Sequence, residues 1–282
     1  MVERSRAGTS PWSAGAGDRD RGLRDRTAGS DVARTVALSV AVVLQTVAGA
    51  LGGSGALGEA VGTVANSYPT LVQPGGAAFS IWTLIYVLVL ALAVRAALSG
   101  QRHREVHRQV GWWVAAAGVL NASWVLVFTQ RWVVVAEVVI VALLVVLYLA
   151  LLRLREHPAT GWADRLLLHT PVGVYTGWVT VATVAGAAST GVALGFTPPW
   201  GLAVALGVFA VLGTTCLAVL TVTRVRPAAG YAAAVAWALA WIAVATSATL
   251  VIVASAVGAL AVVLAATRAL WTARDRTRFA WG

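Results

Sequence analysis

Residues 68–86, YPTLVQPGGAAFSIWTLIY, guide the interpretation of the whole chain. Two prolines and a glycine pair precede an apolar segment that carries Phe79, Trp82 and Tyr86. Their spacing of i, i+3 and i+7 places the three rings on one face of a helix. The loop before this segment has a single charged residue, Glu59, and arginines follow the segment. The stretch therefore predicts a membrane-spanning helix whose aromatic face turns inward and forms one wall of a ligand cavity.

Composition places the chain in a membrane. Apolar residues make up 59% of the 282 residues and charged residues only 11%, whereas soluble domains carry about 25% charged residues. The net charge of +10 would suggest a nucleic-acid partner in a soluble protein. Here the arginines lie in a tail and in short loops, so they indicate orientation in a lipid bilayer, and no nucleic-acid partner is expected.

Residue usage indicates a bacterial protein. Every one of the 21 basic residues is arginine, and alanine, valine and glycine are abundant. Together these features indicate a G+C-rich bacterial coding sequence. The expected location is the inner (cytoplasmic) membrane of a bacterial cell, in which the chain is a multi-pass protein.

Apolar runs near the ~20 residues that cross hydrocarbon predict the spans. Residues 1–31 are rich in Arg, Asp, Gly and Ser and predict a disordered, basic cytoplasmic tail. As one helix, residues 228–266 would be about 58 Å long, twice the hydrocarbon thickness, so we place a hairpin near Thr246 and Ser247. The result is an all-α bundle of eight spans: 32–51, 77–98, 110–128, 133–152, 166–188, 200–221 and the two halves of 228–266.

Loop charge supports this count. Arginines follow the even-numbered spans, whereas the opposite connections contain only Arg131. The positive-inside rule then places both termini in the cytoplasm. The arginines on that side are Arg102, Arg104, Arg108, Arg153, Arg155, Arg165, Arg224, Arg226, Arg268, Arg274, Arg276 and Arg278.

The third span repeats the aromatic design. Asn121, Trp124 and Phe128 lie at i, i+3 and i+7, again on one helical face. A carboxamide in hydrocarbon is costly without a hydrogen bond, so Asn121 must face protein or a wet cavity. Interhelical bonding and ligand contact are equally good interpretations of this residue.

The fifth span carries a third stripe, formed by Tyr175, Trp178 and Ala182. Small residues at Gly177 and Ala182 leave room beside the Trp178 ring. The fourth span contributes Glu137, the one carboxylate within a predicted span, which is either a functional group or a residue that reaches the interface.

In this order and spacing, the three stripes resemble the TspO/MBR family of tryptophan-rich sensory proteins, which includes the translocator protein (peripheral benzodiazepine receptor). The resemblance covers roughly residues 32–188. The motifs that carry it are Pro74-x4-Phe79-x2-Trp82-Thr83-x2-Tyr86, Leu120-Asn121-x2-Trp124-x3-Phe128 and Pro171-x6-Trp178-x3-Ala182-Thr183.

The resemblance implies a TspO-like five-helix transmembrane domain over residues 32–190. Three further transmembrane helices, with a basic cytoplasmic C-terminal tail, occupy residues 191–282. It also implies a receptor-like pocket for a flat apolar ligand, such as a porphyrin, below the first loop. The ligand-binding residues expected are Phe79, Trp82, Tyr86, Asn121, Trp124, Phe128, Tyr175, Trp178 and Ala182.

Several positions depart from the family pattern. Tyr68 stands where compact members carry a tryptophan, and Val184, Ala185 and Gly186 replace an asparagine region. The long loop over residues 52–76 is equally well a lid or a simple connector. Sterol binding is not inferred, because the tyrosine–arginine end of the fifth helix is missing.

The favoured function is a membrane sensor with the lipid bilayer and an apolar small molecule as its partners. The alternatives are a transporter of small apolar molecules and a light-dependent porphyrin-degrading enzyme. Nothing in the sequence requires catalysis, and no catalytic residue, metal ligand set or cofactor is expected. The family includes homodimers, and the small residues of this chain permit several helix–helix interfaces.

Overall fold

The computed structural model describes residues 11–225, 228–273 and 275–282, with side chains from residue 28 onward except that of Phe279. Within these ranges the chain is helical and contains no strand, which confirms the all-α class. A 3-10 turn at Gly76–Ser80 and a π turn at Arg165–His169 precede two of the helices. The helices are α1 (Pro11–Ser54), α2 (Val61–Asn66), α3 (Ile81–Ala97), α4 (Glu105–Thr129), α5 (Val133–Glu156), α6 (Trp162–Asp164), α7 (Thr170–Ala193), α8 (Trp200–Arg224), α9 (Ala229–Ala245), α10 (Thr249–Thr272) and α11 (Arg276–Trp281).

Seven helical segments of the described chain are long and apolar enough to cross a membrane. The one expected span not among these seven, the seventh in chain order, corresponds to α9, an apolar helix of 17 residues. This helix ends at Ala245 and α10 begins at Thr249, so the predicted hairpin near Thr246 is confirmed. The count of eight crossings and the cytoplasmic side of the termini stay predictions.

The first helix is longer than expected. The sequence predicts disorder over residues 1–31, but the backbone is helical from Pro11 onward. The rest of the predicted tail, residues 1–10, lies outside the described residues, as do Arg226 and Arg274.

Two groups of helices share one bundle. In the first group α1 packs against α3 and α4, α4 packs against α5, and α5 packs against α7. In the second group α10 packs against both α8 and α9. The main connection between the groups is the pair α7 and α9.

Glycines bring α7 and α9 close together. A Cβ at Gly173 would lie 3.2 Å from the backbone nitrogen of Tyr231, and one at Gly177 only 2.5 Å from the Tyr231 carbonyl oxygen. Gly173 and Gly177 thus form a G-x3-G pair at a helix–helix interface. The expectation that Gly177 makes room beside Trp178 is wrong, because α9 occupies that face.

A chain of hydroxyl groups also joins the two groups. The Tyr148 hydroxyl lies 2.8 Å from the Tyr231 hydroxyl and 3.1 Å from Oγ1 of Thr221. Tyr231 lies 3.4 Å from Oγ1 of Thr180 as well. Helices α5, α7, α8 and α9 each supply one of these residues, so each buried hydroxyl finds a partner from a neighbouring helix.

Two buried carboxylates form ion pairs with arginines at the end of the bundle that carries the arginine-rich loops. Asp31 accepts bonds from Arg108 at 2.6 Å and from Arg34 at 2.7 Å. Asp164 pairs with Arg104 at 2.6 Å and also with Arg95. These ion pairs join α1 to α4 and α6 to α3, so part of the basic charge assigned to orientation also fastens helices together.

Candidate functional site

The segment directly before α3 is a 3-10 turn and not part of the α-helix. The sequence predicts an α-helix from residue 77, but residues Gly76–Ser80 form a 3-10 turn and α3 begins at Ile81. A 3-10 turn has about three residues per turn, so side chains three positions apart lie on the same side and Phe79 is not turned away from Trp82. The Phe79 ring contacts Trp178 edge-on at 5.8 Å.

Trp82 is the centre of an aromatic cluster built from α3, α4, α7 and the 3-10 turn. Its ring stacks on Tyr86 at 5.6 Å and on Trp124 at 6.1 Å. It meets Tyr175 edge-on at 5.9 Å and Trp178 at 6.2 Å. Offset stacking and edge contacts are the favoured geometries for aromatic pairs. We call the seven rings the aromatic cluster: Phe79, Trp82, Tyr86, Trp124, Phe128, Tyr175 and Trp178.

The three predicted aromatic walls touch one another. Trp124 also stacks on Phe128 at 4.9 Å, so the rings fill most of the space between the helices. The remaining inner cavity has a volume of about 70 Å³. Drug-sized ligands occupy about 300–1,000 Å³, so a flat ligand needs rings to part. The predicted residues that line this inner cavity are Phe79, Trp82, Trp124, Phe128, Trp178 and Ala182.

A larger cleft lies on the other side of the Trp82 ring. It has a volume of about 540 Å³ and is bordered by α1, α2, α3 and α4. Gly49 and Gly53 of α1 contribute a wall without side chains, and a Cβ at Gly49 would overlap the Tyr86 ring. Phe79, Trp82 and Trp124 line both the cleft and the inner cavity. These three rings therefore form the partition between the two spaces.

Two predicted site residues line neither space. Tyr175 is 1% exposed and donates a hydrogen bond to Oε1 of Gln45 at 3.1 Å. Asn121 is fully buried, and its Oδ1 accepts a long hydrogen bond from the Tyr86 hydroxyl at 3.4 Å. Asn121 of α4 thus bonds to Tyr86 of α3 and faces neither space, which favours the interhelical interpretation of this residue.

Buried donors near the cluster lack acceptors among the described residues. They are Nδ2 of Asn121, Nε2 of Gln45 and Nε1 of Trp178. Buried polar groups are normally paired. Of these three residues only Trp178 lines the inner cavity, so its Nε1 is the donor placed to meet a ligand acceptor.

Sequence reasoning missed part of the inner cavity. Glu137 of α5 lines it, together with Gly186 and Thr190 of α7. A Cβ at Gly186 would overlap a carboxylate oxygen of Glu137, so the glycine makes room for this carboxylate. Glu137 is the lone carboxylate in a predicted span, but nothing in the sequence pairs it with Gly186, which lies 49 positions later.

Arg131 fastens the loop over residues 52–76. Its guanidinium forms an ion pair with Glu59, lies 5.9 Å from the Tyr68 ring centre and donates to Oγ of Ser67 at 3.1 Å. The hydrogen bonds from Arg131 hold the pKa of the Glu59 carboxyl below its usual value, and Glu59 in turn raises the pKa of Arg131. The first loop is thus tied to the turn between α4 and α5.

A family model described as TSPO-like protein matches residues 32–269. No curated protein and no solved structure matches the chain. The match continues well beyond residue 188, the expected end of the resemblance, so α8, α9 and most of α10 lie inside it. The chain is a multi-pass membrane protein, and it belongs to the TSPO-like protein family.

Proposed function

We propose that this protein is a membrane sensor that binds a flat apolar ligand at the aromatic cluster, with a tetrapyrrole such as a porphyrin as the first candidate. The membrane would be the cytoplasmic membrane of a bacterial cell. Family membership supports apolar ligand binding at the level of the family. The ligand class, the sensing role and a homodimer stay proposals.

The observation that carries the proposal is the position of Trp82. Its ring contacts rings of α4 and α7 and lines both the inner cavity and the cleft. A change of its side-chain rotamer would connect the 70 Å³ cavity to the 540 Å³ cleft. A flat ligand could then stack between Trp124 and Trp178, where aromatic surfaces supply both buried area and orientation.

The test is a titration of the purified protein with protoporphyrin, followed by tryptophan fluorescence. We expect saturable quenching with a dissociation constant that rises about tenfold in Trp82→Ala, since stacking on one ring contributes on the order of 1–1.5 kcal/mol. Trp200→Ala is the matched control, because this ring is 59% exposed and lies outside the aromatic cluster. Fluorescence that stays constant up to high porphyrin concentration would refute the proposal.

A further inference from the structure

Glu137 is the feature of the inner cavity that an apolar ligand does not explain. It lies one turn into α5, within a segment of mean hydropathy 3.0 that is long and apolar enough to cross a membrane. Its carboxylate forms no hydrogen bond or ion pair with any side chain that the structure describes. An ionised carboxylate at membrane depth is costly unless a cation or a donor faces it.

The nearest arginine in sequence does not compensate this charge. Arg131 lies six positions before Glu137, but its guanidinium is engaged by Glu59, Ser67 and Tyr68 of the first loop. The buried acidic residues at the opposite end of the bundle, Asp31 and Asp164, each have arginine partners. Among the carboxylates of the described spans, Glu105 also forms no ion pair, but it is exposed at the first residue of α4 and accepts a hydrogen bond from Gln109. Glu137 differs because it lines the inner cavity.

The surroundings of Glu137 suit a positively charged group. Trp82, Trp124 and Trp178 line the same inner cavity. Tryptophan faces attract organic cations, and the attraction is stronger where water is excluded. Gly186 leaves space for the carboxylate beside α7. One acidic group in a cavity with several tryptophan rings is thus complementary to a cation attached to an aromatic body.

We propose that Glu137 makes the aromatic cavity selective for flat apolar ligands that carry a protonated nitrogen. The nitrogen would pair with the Glu137 carboxylate while the aromatic body lies against the tryptophan rings. This inference rests on the proposed function, since it adds to the aromatic binding of the same site a preference for flat ligands with a cationic nitrogen; a porphyrin would rely on the aromatic rings alone. It assigns the role of specificity to a residue outside the three aromatic motifs.

The experiment compares two probes of nearly the same shape in zwitterionic phosphatidylcholine nanodiscs. One probe is 9-aminoacridine, which is a cation at neutral pH, and the other is acridine, which is neutral there. Both need the same opening of the aromatic cluster, so their difference reports charge. In the wild-type protein we expect the cation to bind about tenfold more tightly, the value of one charge-assisted hydrogen bond.

Glu137→Gln should remove this preference and weaken 9-aminoacridine about tenfold, while acridine binding changes by less than about twofold. Glu156→Gln is the matched control, because it removes the same charge from the far end of α5, where Glu156 pairs with Arg153 at 3.5 Å. The control should bind both probes as the wild type does.

The outcomes separate the two proposals. Equal binding of both probes by the wild type, or an unchanged preference in Glu137→Gln, overturns the role of Glu137 and leaves aromatic binding standing. Failure of both probes to bind the wild type overturns the cation inference, while protoporphyrin quenching decides the proposed function independently. The wild-type comparison needs no variant, so the inference remains falsifiable even where Glu137→Gln does not fold.

Discussion

At the scale of single residues, Arg131 combines an unusual backbone with a set of contacts to the first loop. Its φ of 62° lies in the left-handed region, which costs a residue with a side chain about 1–2 kcal/mol. That conformation is part of the tight turn between α4 and α5, from which the guanidinium reaches Glu59 and Tyr68. The contacts to the loop offset the cost of the turn.

Acidification tests this fastening. The folded pKa of Glu59 lies below its usual value, so the ion pair stabilises the closed loop above the ordinary glutamate pKa and is lost as the pH falls through the lowered one. Amide hydrogen exchange over residues 57–68, corrected for intrinsic rates, should remain slow from neutral pH into mild acid and then accelerate.

Glu59→Gln supplies the comparison for this experiment. It should exchange faster at neutral pH and show little further acceleration in acid, because the titrating partner is gone. A variant with the same pH profile as the wild type would show that the ion pair does not hold the loop. Fast exchange in both proteins at every pH would favour a simple connector over a lid.

At the scale of secondary-structure elements, the contact of α7 with α9 depends on missing side chains. The Cβ of an alanine at position 177 would press on the Tyr231 carbonyl oxygen, a backbone atom that cannot rotate away. Gly213 of α8 offers a contrast, since a Cβ there meets no atom within 4 Å.

Gly177→Ala should therefore destabilise the protein by about 1–3 kcal/mol, the usual cost of overpacking. Gly213→Ala should be neutral or stabilise by up to about 1 kcal/mol, because alanine is the better helix former. Thermal unfolding of both variants in the same detergent measures the difference. Equal midpoints would show that α7 and α9 adjust to a Cβ without loss.

The elements also show what sequence reasoning can reach. Hydrophobic periodicity and length predicted the long helices, and the length argument placed the hairpin between Ala245 and Thr249 correctly. The 3-10 turn before α3 was missed because its backbone is held by a distant group, as the Gly75 N–H donates to the Trp241 carbonyl. Such long-range bonds leave no periodic trace in the local sequence.

The aromatic site was predictable to a similar degree. Spacing identified Trp82, Trp124 and Trp178, and the structure brings their rings together. Spacing could not show that the rings touch and leave only a small cavity, since this depends on the distance between helices. Nor could it separate Tyr175, which faces Gln45 of α1, from residues that line the cavity.

At the scale of the whole molecule, the number of crossings decides where the termini lie. Eight spans place both termini on one side, whereas seven place them on opposite sides. Helix α9 is the uncertain one, because 17 residues span only about 25 Å of a hydrocarbon core that is about 30 Å thick.

Reporter fusions test this topology. We expect a fluorescent protein that matures only in the cytoplasm to fluoresce when it is fused to either terminus. Alkaline phosphatase, which is active only outside the cytoplasm, should be inactive at both termini. A fusion after Ala245, in the α9–α10 connection, should give the opposite pattern. Opposite behaviour of the two termini would contradict the eight-span topology.

Hydrogen bonds join α9 to the 3-10 turn before α3, and they bear on whether the first five helices can fold alone. Nε1 of Trp237 donates to the Ala78 carbonyl at 3.1 Å, and the Gly75 N–H donates to Trp241. Both tryptophans lie in the last three turns of α9, and lipid offers no substitute partner for a stranded backbone group. A chain cut after α7 would leave these groups, the Gly173–Gly177 face and the Tyr148 hydroxyl uncovered. We therefore expect that the first five helices do not fold alone, because helices α8 and α9 complete their polar and close-packed contacts.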